Sequence, residues 1–577
     1  MGPRMREEDG SYDRMQFMSS ELDKYPALAQ ALLKNRGIVT RDAAEKFLNP
    51  NYERDIYDPF LILGMERAVE RILRAIDANE KIIIFGDYDC DGIPGSVVVH
   101  DFFKKIGYVN FQNYIPHRNN EGYGLNIPAI EKFAQWGATL MITVDCGITD
   151  VAEVEKANDL GINVIITDHH LPQEILPPAY AILNSKQAGD TYPDNMLCGA
   201  GVAWKLVCAL LSRAREKWGV QVGWEKLLLD MAGLSTIADM VPLQNENRAL
   251  AFFGIKMLRI SRRLGLKKLF AKMDMNQANI VEDDVGFMIG PRINAASRMG
   301  TPSDAFRLLS STDNAEAEEL AEHLAHLNDT RKGLVASMVK DARKHIDTRI
   351  ASDELRDIIV IGNPLWKPGL AGLVASNIVE TYSRTTFVWG RTDDGRIKGS
   401  CRSDGTVNVV ELMTGVKAGT FIDVGGHAQS GGFSVSFDSV HTLEEELVSV
   451  YQKVRKEKEE EEQVIEATLA LAEVNFAIWN IVEQFAPFGI GNSKPVFLFE
   501  KVRVSEVRKF GKEQAHLELS FENSRVKAIS FFAFTEKGEQ GKYRITEGGF
   551  INLIATMELN TFRGKRELRL RIVDVRS

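Results

Sequence analysis

The chain is poor in thiols. Its 577 residues include only five cysteines, Cys90, Cys146, Cys198, Cys208 and Cys401. They are odd in number, scattered and never paired as CxxC, which excludes a disulfide framework and a structural zinc site and fits a reducing compartment. Apolar runs of the ~18 residues that a membrane span needs are also missing. The N-terminal stretch MGPRMREEDGSYDR is polar and has no signal-peptide core, so a cytoplasmic protein is expected. Positive charge is short too: 70 Lys plus Arg against 80 Asp plus Glu leave −10, which alone would argue against a nucleic-acid partner. With 44% hydrophobic and 26% charged residues the composition is ordinary, which removes disordered, collagenous and coiled-coil readings. There is no solenoid-type repeat. What remains is a folded chain of three or four domains at roughly 150 residues each.

Residues 1–80 read as a helical extension, with apolar rhythms over Leu22–Leu33, Asp42–Phe47 and Ala68–Ala75. From 81 to 310, short β-branched runs alternate with helical stretches: Lys81–Phe85, Tyr108–Ile115, Thr139–Val144 and Asn163–Thr167, with helices at Ile127–Gln135 and Val151–Asn158. That alternation predicts an α/β domain with a parallel sheet, whose functional groups gather past the carboxyl ends of the strands. Residues 311–347 form one long charged amphipathic helix, a connector. A smaller α/β domain is expected over 348–452, and the charged run Lys453–Gln463 reads as a solvated face or linker. From 464 to 577 the short alternating strands PVFLFEKVRVSEVRKF, AHLELSFE, VKAISFFAF, INLIATMEL and LRLRIVDV predict a small OB-type β-barrel.

Carboxylates and histidines fall at particular points of this pattern. Asp87, Asp89 and Asp91 follow the first core strand, Asp145 follows LMITV, and Asp168, His169 and His170 follow NVIIT. Asp239 follows an apolar stretch in GLSTIADMVPL and is expected to join them at the same sheet edge. So many acids in one place repel one another unless cations neutralise them. Hard oxygen donors mixed with imidazole suit two divalent ions, Mn²⁺ or Mg²⁺, about 3.5–4 Å apart, the usual clamp for attack of water on a phosphate ester.

GDYDCDG, TVDCGI, TDHH and STIADMVPL resemble the successive motifs of the DHH phosphoesterases. NRGIVTRDAAEKFLNP, IPHRNNEGYGL, GPRINAASRMG, LWKPGLAGLVAS, KGSCRS, VGGHAQSGGF and PFGIGNSKPVF resemble the RecJ branch, whose members are single-strand-specific 5′→3′ DNA exonucleases. The resemblance implies a DHH catalytic domain at 81–310, a DHH-associated (DHHA1) domain at 348–452 and a nucleic-acid-binding barrel at 464–577. It implies metal ligands at Asp89, Asp91, Asp145, His169 and Asp239. Phe85 stands where many DHH enzymes carry a histidine, so Asp87 either ligates metal or supports a ligand. His170 could bind metal, orient His169 or contact the scissile phosphate, the last being favoured; with Asp91 and Asp145 it is expected to carry the chemistry. Asp168 is expected to anchor its turn.

The resemblance also assigns phosphate recognition, at the 5′ end, to Arg118, Arg292, Arg298, Ser400 and Arg402, in keeping with the fit of guanidinium to phosphate. Gly426 and His427 of the GGH segment are expected to approach the substrate through close backbone. Ser297, Lys367 and Ser493 depart from the family's usual residues without touching a metal ligand. The expected activity is therefore two-metal hydrolysis of single-stranded DNA to 5′-mononucleotides, in DNA repair and recombination. A monomer is expected, with a single-strand-binding protein and a helicase as partners. A phosphoesterase for short oligonucleotides or cyclic dinucleotides fits the extra N-terminal and barrel segments less well. A non-catalytic scaffold conflicts with the intact acidic motifs.

For strand binding the barrel offers Lys501, Arg503, Arg508, Lys509, Phe510, Phe562, Arg563, Lys565 and Arg566. Residues 491–577 hold 17 Lys plus Arg against 11 Asp plus Glu, a local +6, so the other 490 residues carry −16. An acidic body with metal-site aspartates and a basic barrel is compatible with a nucleic-acid enzyme.

Overall fold

The computed structural model describes residues 21–577 apart from 119, 393, 458–463, 512–513, 532–542, 544, 562–565 and 577. The chain divides into two units. One comprises Tyr52–Glu462 with Gly489–Gly491; the other comprises the described parts of Met1–Asn51, Gln463–Phe488 and Asn492–Ser577.

In the larger unit, β1 (Lys81–Gly86), β2 (Phe111–Tyr114), β3 (Ala138–Val144), β4 (Asn163–Thr167) and β5 (Ala181–Leu183) form a parallel sheet in the order β2-β1-β3-β4-β5. The strands are apolar throughout because both faces are covered. Ile82 and Ile84 pack on one side with the helices Met65–Asp77, Gly92–Lys105 and Gly199–Ala214. Ile83 and Phe85 pack on the other side with Ile127–Trp136 and Val151–Asp159. Each such fully buried aliphatic contributes about 1.5–3 kcal/mol.

Register positions the site. Gly86 pairs with Val144, Val144 with Thr167, and Thr167 with Leu183. The next residues, Asp87, Asp145, Asp168 and Asn184, therefore step off the sheet in one row. Their main chains keep that row, because the amides of Asp87, Asp145 and Asp168 donate to the carbonyls of Val144, Thr167 and Leu183 at 2.8–3.1 Å.

Asp239, which the sequence placed after an apolar stretch of unstated type, arrives from a helix, at the end of Leu229–Ala238. Eight of the ten residues of that helix are buried, so its sequence is apolar on every side and its period is hidden.

The helix Asn314–Ala351 runs 38 residues, about 57 Å, and starts under a cap in which Asp313 accepts the Glu316 amide. It leads into a mixed sheet of β6 (Ile359–Gly362), β7 (Thr386–Arg391), β8 (Ile397–Arg402), β9 (Phe421–His427) and β10 (Ser430–Val435), ordered β6-β7-β8-β10-β9. Only β6 and β7 pair in parallel.

The smaller unit is a barrel built from β11 (Ala467–Thr468), β12 (Val496–Phe510), β13 (His516–Phe521), β14 (Lys527–Ser530), β15 (Phe550–Asn560) and β16 (Glu567–Arg576). β12 is long enough to serve two neighbours: Val496–Arg503 pairs with β15 and Val504–Phe510 with β13. That double use closes five strands, β12-β13-β14-β16-β15, and removes the open edges. Phe497, Phe499, Val504, Leu519, Leu553 and Leu570 fill the interior. The helices Ala27–Asn35 and Arg41–Leu48 belong to this unit, where Arg36 pairs with Glu466 at 2.6 Å and donates to Asn492 at 2.9 Å.

Candidate active site and metal centre

Asp91 is held by the start of another helix. Its carboxylate accepts the amide of Gly199 at 2.6 Å and that of Ala200 at 2.8 Å, where the unpaired N–H groups of Gly199–Ala214 favour negative charge. The approach requires glycine, because a Cβ on residue 199 would stand 2.5 Å from the Cβ of Asp145. Asp89 accepts the amides of Asp91 and Gly92 at 2.8 and 3.3 Å, closing the turn between β1 and its helix.

His169 sits at the centre. Its Nε2 lies 3.2 Å from Asp145 Oδ1, 3.6 Å from Asp91 Oδ2 and 3.7 Å from Asp239 Oδ2. Three overlapping donor sets have ligand atoms within 4.8 Å of one another: Asp91, His169 and Asp239; Asp87, Asp89 and Asp145; and Asp145, His169 and His170. Among the described residues all the metal-competent clusters lie here.

The donors fit divalent cations. Asp87 Oδ1 and Asp145 Oδ1 are buried and accept no hydrogen bond, a costly state for a carboxylate that a cation would relieve. Burial and the charge of Asp89 push Asp87 up, and burial with the charge of Asp91 does the same to Asp145. Burial and Asp89 raise Asp91 to about 6 despite its two backbone donors; burial and Asp91 raise Asp239 to about 9. His169 is pushed down to about 3 by burial and by the charge of His170, which keeps it a neutral imidazole, the form that ligates metal. The first two donor sets share no residue, so two ions can be held side by side.

Asp168 does not face this cluster. It is fully buried and accepts the amides of Ile148, His169 and His170 at 3.0, 2.7 and 3.1 Å, as well as His170 Nδ1 at 2.8 Å. Burial raises its pKa, but the bond and charge of His170 and the backbone donors outweigh that, leaving it lowered. His170 stacks on His427 of β9, with centroids 6.2 Å apart and planes at 9°.

A group of arginines lies beside Asp89. Arg298 is pushed down by burial and by the positive charges of Arg118, Arg331 and Arg402, while Asp89 pulls it up. Arg118 lies over the Tyr88 ring at 4.9 Å, Arg298 donates to the Gly369 carbonyl at 3.0 Å, and Arg402 donates to that of Cys401 at 2.8 Å. Ser400 shares a strand face with Arg402. Arg292 is turned to its own helix, donating to the Met288 carbonyl at 2.8 Å, and neighbours Arg331. In the barrel, Arg503 and Arg508 are each paired to a carboxylate, Glu522 and Glu518, both at 3.0 Å, and Phe510 packs edge-on against His516. Lys501 and Lys509 are exposed on β12, and Arg566 lies 5.9 Å over Phe476. Phe562, Arg563 and Lys565 lie outside the described residues.

Sequence reading missed four residues here. Asn184 and Lys186 follow the three-residue β5, too short to register as a strand, and they donate to the carbonyls of His170 and His169. Arg331 is hidden in the charged face of the long helix, and Tyr123 between two glycines.

Comparison with known proteins agrees with this geometry. Residues 81–236 match the DHH family N-terminal domain, 356–455 the DHHA1 domain and 465–574 the RecJ OB domain. The single-stranded-DNA-specific exonuclease RecJ of Bacillus subtilis is 36% identical over 97% of this chain and 69% of its own length. That of Escherichia coli is 30% identical over 95% of both chains. The chain belongs to the RecJ family. Among solved structures, RecJ of Thermus thermophilus in complex with Mn²⁺ superposes with a TM-score of 0.78 at 26% identity, over 95% of this chain and 76% of that one. An exonuclease RecJ bound to manganese superposes at 0.59 with 31% identity, over 68% and 95%. The DHH, DHHA1 and OB parts expected from the sequence are thus the parts of a RecJ-family hydrolase.

Proposed function

We propose that the protein degrades single-stranded DNA from its 5′ end to 5′-mononucleotides by hydrolysis that depends on Mn²⁺ or Mg²⁺. The observation that carries this reading is the meeting of Asp87, Asp89, Asp91, Asp145, His169 and Asp239 in donor sets with ligand atoms within 4.8 Å, two of them disjoint. These six residues would hold the ions. Bound divalent ions would supply Lewis acidity toward the phosphate and would lower the pKa of the attacking water.

The side chains of the protein do the rest. His170 is fixed by Asp168 and presents its Nε2 to the scissile phosphate. Arg118, Arg298 and Arg402, with Ser400 and Arg292, grip the 5′-terminal phosphate, which sets the polarity of degradation. The mutual repulsion of Arg118, Arg298 and Arg402 supports this, since an anion among them relieves it. Gly426 and His427 approach the substrate from β9. The barrel binds the single strand. Action in the cytoplasm in DNA repair and recombination, as a monomer working with a single-strand-binding protein and a helicase, completes the reading. Among the described residues no helix is long and apolar enough to cross a membrane.

Single-stranded DNA labelled at either end tests the proposal. With Mn²⁺ or Mg²⁺, a 5′ label is expected to leave first as mononucleotide, EDTA to stop release, and a blunt duplex to resist. Asp145→Ala is expected to lose release while keeping DNA binding. Early loss of a 3′ label, or activity confined to dinucleotides, would overturn it.

A further inference from the structure

Tyr123 stands between Gly122 and Gly124, whose φ angles of 88° and 85° lie in the left-handed region. The loop is tied at both ends. Glu121 accepts the Tyr114 hydroxyl and, at 2.6 Å, the His117 amide, while Asp150 accepts the Leu125 amide at 2.7 Å. With both flanks fixed, the ring is aimed. Its hydroxyl lies 3.0 Å from the Asp145 carbonyl and 3.0 Å from His170 Nδ1, and the ring stands edge-on to the His170 imidazole at 5.5 Å. The segments that follow β3 and β4 thus meet at one oxygen.

Counting protons fixes who donates. The Asp145 carbonyl can only accept, so the phenolic hydrogen goes to it. The Asp168 carboxylate already accepts three amides, and His170 Nδ1 faces it at 2.8 Å as a fourth donor. The same Nδ1–H faces the Tyr123 oxygen, which accepts. His170 is therefore held with hydrogen on Nδ1, and its Nε2 makes no hydrogen bond among the described residues. Asp145 has a φ of +64°, a conformation that residues other than glycine avoid, and the Tyr123 bond is one restraint that keeps it there.

We propose that Tyr123 is a positioning residue, whose hydroxyl latches the strained main chain of Asp145 and fixes the His170 ring through a single oxygen. The proposal rests on the metal-dependent exonuclease reading and deepens it. Partners that orient metal ligands are worth 10–100-fold in metal affinity or activity.

Tyr123→Phe in the full chain removes the latch and keeps the ring. Mn²⁺ affinity, read by calorimetry without DNA, is expected to weaken about tenfold. The kcat for nucleotide release should fall by about tenfold or more, with KM for the strand and the metal-free melting temperature unchanged. Tyr123→Leu, which also removes the ring, is expected to show the same loss of Mn²⁺ affinity. Wild-type Mn²⁺ affinity and kcat in Tyr123→Phe would overturn the proposal, as would a rise in KM alone, which marks a substrate contact. If the wild-type protein released no mononucleotide, the exonuclease reading would fall, while the Mn²⁺ affinities would still decide the latch.

Discussion

At Asp145 several demands meet. It must leave β3 beside Asp87, adopt a left-handed φ, lie against Gly199 and keep a buried oxygen without a hydrogen-bond partner. A residue under that much constraint is kept for function rather than stability. Its type and place after LMITV were legible in the sequence; its strain and its contact with residue 199 were not, because both depend on chain segments distant in sequence. The arginines behave in the same way. Arg402 is visible in KGSCRS, but its closeness to Arg118 comes from β8 being brought to the first sheet. Replacing Arg402 by Ala is expected to cost about 1.5–3 kcal/mol of binding to a 5′-phosphorylated strand, roughly tenfold to a hundredfold. A strand ending in a 5′-hydroxyl should be degraded as by the wild type. Parallel kinetics on the two substrates check this, and an equal loss on both would remove the residue from the 5′-phosphate.

At the scale of elements, the strands and the motifs after them could be read because a parallel sheet buried on both faces writes continuous apolar runs ended by turn residues. The helix Leu229–Ala238 could be read only as an apolar stretch without a type, since burial of most of its residues hides the helical period. Another buried arrangement ties the helices behind the site together. Lys205 of Gly199–Ala214 and Glu246 of Asn245–Ile260 form an ion pair with no solvent exposure. They also clasp one residue between them, Lys205 donating to the Tyr57 carbonyl at 2.6 Å and the Tyr57 amide donating to Glu246 at 3.0 Å. Lys205→Met leaves the Glu246 charge buried without its cation. It is expected to destabilise the protein by about 3–5 kcal/mol, measured by denaturant unfolding, and by much less when combined with Glu246→Gln.

For the whole molecule, the division into two units has a thermodynamic consequence. All the candidate metal donors lie within Tyr52–Glu462. Two calorimetric transitions are expected, of which Mn²⁺ raises only one. A free concentration a hundred times the dissociation constant contributes about 2.7 kcal/mol to it, and EDTA reverses the shift. The sequence alone determined the strand-and-helix succession around the acidic motifs, apart from the short β5 and the buried helix Leu229–Ala238, together with the barrel and which acids and histidines follow strands. Those follow from local alternation of apolar and polar residues and from turn chemistry, both readable within a few residues. The tertiary structure alone decided that Asp239 comes from a helix, that Asn184, Lys186 and Tyr123 brace the histidines and Asp145, and that Asp91 rests on the start of Gly199–Ala214. Each of these depends on register and packing between segments tens to more than a hundred residues apart, and no local pattern encodes such distances.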